Sequence, residues 1–184
     1  KKNMKARIIY GSDTGSTEYV IENYLVDQLS LDFEVQTMEV NSIDSDVWDT
    51  DDLIIIGLST WYDGVLQSDW EEYFDDFKKI DFTGKTVAIF GLGDQVGYGE
   101  FFVDGVGILA KEVLANGGTI IGHWPNEGYE FIESKASINE NTLYGLALDE
   151  DNQDEYTYDR VKDWAKQIKE EYASILSKEV NDLV

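Results

Sequence analysis

Ala6-Arg7-Ile8-Ile9-Tyr10-Gly11-Ser12-Asp13-Thr14-Gly15-Ser16-Thr17 passes from an apolar run into small, hydroxylated or acidic residues, and a helical pattern begins directly behind them. A strand, a tight hydroxyl-rich turn and a helix N-terminus together form an anion cradle. Backbone N–H groups and Ser/Thr hydroxyls can donate there, and the helix dipole favours negative charge. The same residues also suit an ordinary N-cap, in which Ser or Thr satisfies the first helical donors. Taken alone, they leave both readings open.

Outward from this stretch, short apolar runs alternate with amphipathic helical patterns. Val20, Tyr24 and Gln28 mark one helix row, with Ile21, Leu25 and Leu29 beside it. Phe33–Val40 alternates as a strand does. Leu53-Ile54-Ile55-Ile56-Gly57-Leu58 is continuously apolar, as expected of a strand covered on both faces. Asp69–Lys79 reads as a helix with Trp70, Tyr73, Phe74 and Phe77 on one side. Thr86-Val87-Ala88-Ile89-Phe90 is another buried strand, followed by a helix near Gly105–Asn116 that Gly117-Gly118 would stop. Thr119-Ile120-Ile121-Gly122 starts a fifth strand. A long helix over Thr157–Lys178 closes the chain, with Val161, Trp164, Ile168, Tyr172 and Ile175 on its buried stripe. This alternation predicts an α/β fold: a doubly wound, five-stranded parallel sheet in the flavodoxin-like order 2-1-3-4-5. The polar stretch Asn126–Gly145, between Gly122 and Leu146-Ala147-Leu148, is read as an insertion in the last strand. One domain, residues 1–184, is expected.

The 184 residues suffice for a substantial core. A hydrophobic share of 42% and an aromatic share of 13% exclude disorder as the reading. The chain carries 38 acidic residues against 14 basic ones, a formal net charge of -24. Nucleic acid and anionic membranes are repelled by such a surface, whereas a basic protein partner is steered in, faster at low salt. With no cysteine, disulfides, thiolate metal sites and cysteine-ligated iron–sulfur clusters are excluded. No apolar run approaches the ~20 residues that span a bilayer, so no membrane insertion is expected. Lys1-Lys2-Asn3-Met4-Lys5 has no signal-peptide character.

In that sheet order, three loops meet at one rim, where open α/β sheets assemble ligand sites. They are the hydroxyl loop, Ser59-Thr60-Trp61-Tyr62-Asp63-Gly64 after strand three, and Gly91-Leu92-Gly93-Asp94-Gln95-Val96-Gly97-Tyr98-Gly99 after strand four. A phosphate cradle between two aromatic-bearing loops suits a flat ring with a phosphorylated tail, with Trp61 and Tyr98 stacking on the ring. Taken singly, Trp61 also reads as a loop aromatic folded onto the core, and the third loop as a glycine-rich turn.

Ser12–Thr17, the run Ser59–Trp70 and Gly93-Asp94-Gln95-Val96-Gly97-Tyr98 resemble the flavodoxins. Gly128-Tyr129-Glu130-Phe131, Gly145–Gln153 and Arg160…Trp164 do so as well, in order along nearly the whole chain. The Asn126–Gly145 insertion resembles that of the long-chain members. The resemblance implies one non-covalently bound FMN and low-potential one-electron transfer through its semiquinone/hydroquinone couple, with no catalytic residues in the acid–base sense and no metal. By that resemblance, Ser12, Asp13, Thr14, Gly15, Ser16 and Thr17 hold the phosphate, and Trp61 and Tyr98 cover the ring faces. Ser59, Thr60, Tyr62, Asp63 and Gly64, and Gly93, Asp94, Gln95 and Gly97, bind ring edges and ribityl, with Asp151 a ribityl candidate. Phe101 stands near the pyrimidine edge, where asparagine is frequent; Asp63 replaces a common apolar residue and Val65 a common acid. The Tyr62 carbonyl would accept from flavin N5–H after a peptide flip that Gly64 permits.

Asp63, Asp94 and Glu100 surround the expected ring, so a second negative charge on the flavin is disfavoured. The resemblance further implies a ferredoxin-replacing monomer in the cytoplasm, or in a plastid stroma. Its partners would be basic-surfaced redox proteins such as a ferredoxin–NADP reductase, photosystem I or other ferredoxin-dependent enzymes. The competing enzyme reading is an FMN-dependent NAD(P)H or quinone reductase of the same fold; a receiver-type signalling domain fits the motifs poorly. His123 is expected to be structural, and the runs Asp44-Ser45-Asp46, Asp75-Asp76 and Asp149-Glu150-Asp151 to be solvated faces.

Overall fold

The apolar runs become the centre of a parallel sheet. A computed structural model describes residues 4–183; Lys1, Lys2, Asn3 and Val184, and with them most of the basic N-terminal stretch, lie outside the described residues. In chain order, β1 (Met4–Tyr10) leads to a continuous helix of α1 (Ser16–Val20), a π-turn (Ile21–Leu25) and α2 (Val26–Leu29). Then follow β2 (Phe33–Glu39), β3 (Leu53–Trp61), β4 (Val65–Leu66), α3 (Ser68–Phe77), β5 (Thr86–Leu92) and α4 (Asp104–Ala115). Next come β6 (Thr119–Ile121), β7 (Trp124–Pro125), β8 (Ser137–Asn139), β9 (Thr142–Leu143), β10 (Leu146–Leu148) and α5 (Thr157–Asp182).

The main sheet runs β2-β1-β3-β5-β10, parallel throughout, as the alternation of strands and helices requires. Successive residues of each central strand face opposite layers. Ile9, Ile54, Ile56 and Ile89 pack with Trp70 and Phe77 of α3 and Val106, Leu109 and Val113 of α4. Ile8, Ile55, Ala88 and Phe90 pack with Val20, Ile21, Leu25 and Leu29 and with Val161, Trp164 and Ile168 of α5. Helices on both faces explain why Leu53–Leu58 is apolar without alternation.

Beyond β5 the sheet is completed by two half-strands. β6 pairs with Thr86–Ala88 and β10 with Phe90–Leu92. Between them, β7, β9 and β8 form a small antiparallel sheet. Gly107 on α4 fixes this segment closely: a Cβ there would fall 1.9 Å from the Lys135 carbonyl oxygen. Among the described residues, no helix is long and apolar enough to cross a membrane.

Candidate functional site

The carboxyl ends of β1, β3 and β5 open into three loops, and a cavity of about 350 Å³ lies between them. That volume falls within the roughly 300–1,000 Å³ of small-molecule sites. Thr14, Ser16, Ser59, Thr60 and Trp61 line it from the first two loops, and Gly93, Asp94 and Tyr98 from the third. Leu92, Glu150 and Asp151 complete the wall. No lysine or arginine is among the lining residues.

The first loop is built to leave donors open. Gly11 leaves room for Gln67, since a Cβ there would sit 1.9 Å from Gln67 Oε1 and displace the amide. Ser12 Oγ accepts the Gly15 N–H at 3.1 Å and, at the edge of bonding distance, the Glu18 N–H at 3.5 Å. Gly15, at φ 89°, occupies the N-cap, where, having no side chain, it makes no capping bond. The N–H groups of Thr14, Ser16 and Thr17 have no partner among the described residues. The Thr14 and Ser16 hydroxyls lie 3.4 Å apart on the cavity wall, and Thr17 Oγ1 lies 3.0 Å from Ser59 Oγ.

Asp13 turns elsewhere. Its carboxylate accepts from the Ser68 hydroxyl, from Ser68 N–H at 3.3 Å and from Gln67 Nε2 at 2.9 Å. Burial raises its pKa, but these donors, with the Trp61 indole facing the same carboxylate, outweigh that and hold it below the ordinary value. The Trp61 N–H itself is buried and makes no bond of normal geometry. Gln67, absent from the sequence-derived site, also accepts the Trp70 N–H at 3.2 Å. It thus ties the first loop to the start of α3.

In the second loop, the antiparallel Trp61–Val65 pair closes a hairpin around Tyr62, Asp63 and Gly64. Tyr62 has φ 47° and Gly64 φ 88°. Tyr62 is 65% exposed and stands edge-on to Tyr98, with centroids 6.1 Å apart at 88°. Thr60 Oγ1 accepts the Gly105 N–H from the start of α4 at 2.9 Å. Asp63 is exposed, and the Phe101 ring lies behind Gly64.

The third loop is cross-tied. Asp94 accepts from Gly97 N–H at 2.7 Å, Asn152 Nδ2 at 2.8 Å and Val96 N–H at 3.1 Å; burial opposes these donors, which prevail and lower its pKa. A Cβ on Gly97 would meet Asp94 Oδ2 at 2.4 Å. Gln95 is buried rather than lining the cavity. Its amide joins Asp149 (Nε2 to Oδ2, 2.7 Å) to the Glu130 N–H (2.6 Å to Oε1).

Asp149 corrects the expectation of a solvated acidic run. It is fully buried and accepts from Gln95, Asp151 and Asn152 N–H groups as well as from both side-chain amides. A carboxylate enclosed by donors needs no water, which a charge count along the chain does not show. Asp151 lies on the wall as an exposed residue, its pKa raised by burial and by the charges of Asp94 and Asp149. Glu150 beside it was not in the sequence-derived site; burial raises its pKa against the opposing Thr157 hydroxyl. His123 stands exposed, edge-on to Tyr144.

Open N–H groups and hydroxyls on one wall, with Trp61 and Tyr98 from separate loops on the same cavity, fit a phosphorylated aromatic ligand. Comparison with known proteins agrees with that chemistry. The chain is 46% identical over 165 residues to a flavodoxin of Synechocystis, covering 90% of this chain and 96% of that one. It is 41% identical to flavodoxin 1 of Escherichia coli K12 over 164 residues, covering 89% and 92%. A solved Fusobacterium nucleatum flavodoxin bound to flavin mononucleotide superposes with a TM-score of 0.84 at 30% identity, covering 91% of this chain and 98% of the other. The family model described as Flavodoxin matches residues 8–164, and the chain belongs to the flavodoxin family.

Proposed function

We propose that this chain is a low-potential one-electron carrier that binds FMN non-covalently in the three-loop cavity and uses its semiquinone/hydroquinone couple in place of ferredoxin. The observation that carries the reading is the pairing, on one cavity, of unpartnered donors at Thr14 and Ser16 with the aromatics Trp61 and Tyr98. When bound, FMN supplies the redox chemistry, accepting and releasing single electrons.

The residues do the rest. Thr14–Thr17 hold the phosphate by N–H and hydroxyl dipoles at a helix N-terminus, without a cation to cancel its charge. Trp61 and Tyr98 cover the ring and exclude water from it. The Tyr62 carbonyl serves as acceptor at the ring edge, and Gly64, already at φ 88°, lets the peptide turn. Asp94, Glu150 and Asp151 on the wall keep the local field negative, so a further negative charge is costly and the reduced cofactor is a strong reductant. The formal net charge of -24 steers a basic-surfaced redox partner to this rim.

The test is a titration of the purified chain with FMN, followed by stepwise reduction under the visible spectrum. The expected result is a yellow protein that turns blue at half reduction and does not oxidise NAD(P)H by itself. A chain that takes up no FMN overturns the reading, and steady NAD(P)H oxidation overturns the carrier role.

A further inference from the structure

The start of α4 holds two features that are unusual for a helix N-terminus. Val103 has φ 46° and ψ 34°, a conformation in which a β-branched side chain crowds its own backbone. Asp104, next in the chain, is 1% exposed. Its Oδ1 accepts the Lys135 N–H at 2.8 Å, while no donor among the described residues reaches Oδ2. Backbone strain and a buried carboxyl with a single donor persist only where the surroundings enforce them, and such features gather at functional sites.

What Oδ2 faces is the second loop. A Cβ built on Gly64 would lie 2.9 Å from it. The following residue, Gly105, donates its N–H to Thr60 Oγ1. The first two residues of α4 therefore clasp the β3–β4 hairpin from behind, at both ends of the segment that carries Trp61 and Tyr62. Burial pushes the Asp104 carboxyl up, against the Lys135 N–H and the charges of Lys135 and Lys111, with Glu133 adding to the rise. The turn in front contributes only the exposed Asp63, so no cation from that side neutralises Asp104.

We propose that Asp104 is the positioning residue of the Tyr62–Gly64 turn and the fixed charge behind it that depresses the potential of the bound cofactor, a charge that protonation of Oδ2 removes. The inference rests on the FMN reading above. No electron passes through Asp104: the electron reaches the cofactor from an external reductant, and the carboxylate takes its proton from solvent. Its close contact with Gly64 also explains why the turn admits no side chain there.

The test compares FMN-loaded wild type with Asp104→Asn, which keeps an acceptor for the Lys135 N–H. At a fixed electrode poise near pH 7, the variant is expected to hold on the order of tenfold more fully reduced flavin, a shift of about 59 mV. That gap narrows as the pH falls through the raised pKa of Asp104, because the wild-type carboxylate then loses its charge. A second readout needs no cofactor. A group whose folded pKa is raised stabilises the fold below its unfolded value and loses that contribution as pH rises through the folded value. The cofactor-free variant should thus resist urea better than wild type at pH 7, with the advantage vanishing toward pH 4. If the asparagine variant does not fold, Asp104→Ser carries the same expectations. Wild type that takes up no FMN overturns the function reading and this inference with it. Loaded proteins whose potentials coincide from pH 5 to 8 overturn this inference alone.

Discussion

Replacing Gln67 with leucine nearly conserves volume and removes three hydrogen bonds at once. The side chain is fully buried, so the lost bonds are not simply handed to water. The Trp70 N–H, now bonded to Oε1 at 3.2 Å, would be left unpaired in the core, at a cost of about 1–3 kcal/mol. The bonds to Asp13 (2.9 Å) and Asp69 (3.0 Å) add less, about 0.5–1 kcal/mol each, because both carboxylates reach solvent and Asp13 keeps its Ser68 donors. The sum is about 2–5 kcal/mol, a large part of the 5–15 kcal/mol typical of a domain. Urea unfolding of the cofactor-free chain at pH 7 measures it. Because Gln67 also braces the first loop through Asp13, FMN affinity should fall about tenfold in the same variant. The acid limb of the stability curve should move too. Asp13 is held below its ordinary pKa, so its contribution is present above the unfolded value and lost as pH falls through the folded one; weakening its donors shifts that loss to higher pH. A leucine variant within 0.5 kcal/mol of wild type would refute the bracing argument, as would lost stability with unchanged FMN affinity.

Gly107→Ala drives a methyl into the Lys135 carbonyl, and should cost about 1–3 kcal/mol, lowering the melting temperature by about 2–4 °C for each kcal/mol. Asp149→Asn points an amide donor at a ring of donors; a loss of about 1–3 kcal/mol in unfolding and weaker FMN binding through the Tyr98 loop are expected, measured by urea and fluorescence titration. Asp63→Asn should raise the potential of the second electron only slightly, since Asp63 is exposed, and the shift should disappear in molar salt, where charges are screened within about 3 Å.

The central strands were legible because two-sided burial writes itself as unbroken apolar runs, as in Leu53–Leu58 and Thr86–Phe90. The helices were legible from their stripes; Trp70 and Phe77 of α3 and Val161, Trp164 and Ile168 of α5 are all buried as their spacing requires. The π-turn at Ile21–Leu25 leaves no mark on such a stripe, since it shifts the register without changing which residues are apolar. The small sheet of β7, β8 and β9 was illegible because its strands are only two or three residues long, too short for an alternating pattern. At the site, the three loops were readable from glycines, hydroxyls and aromatics. Their supports were not: Gln67, Asp104 and Asp149 are polar residues that composition assigns to the surface, and only tertiary placement shows what encloses them.

The two half-strands beside β5 bear on how this protein behaves in a crowded solution. An open sheet edge is a template on which a second chain can add a strand, and the longer and flatter the edge, the greater the hazard. Here one edge is divided between β6 and β10, three residues each, with the small sheet's segment emerging between them. The opposite edge, β2, exposes Glu34, Gln36, Thr37 and Glu39. One border is too short to recruit a neighbour and the other repels it, so the sheet resists stacking into aggregates while its carboxyl rim stays open.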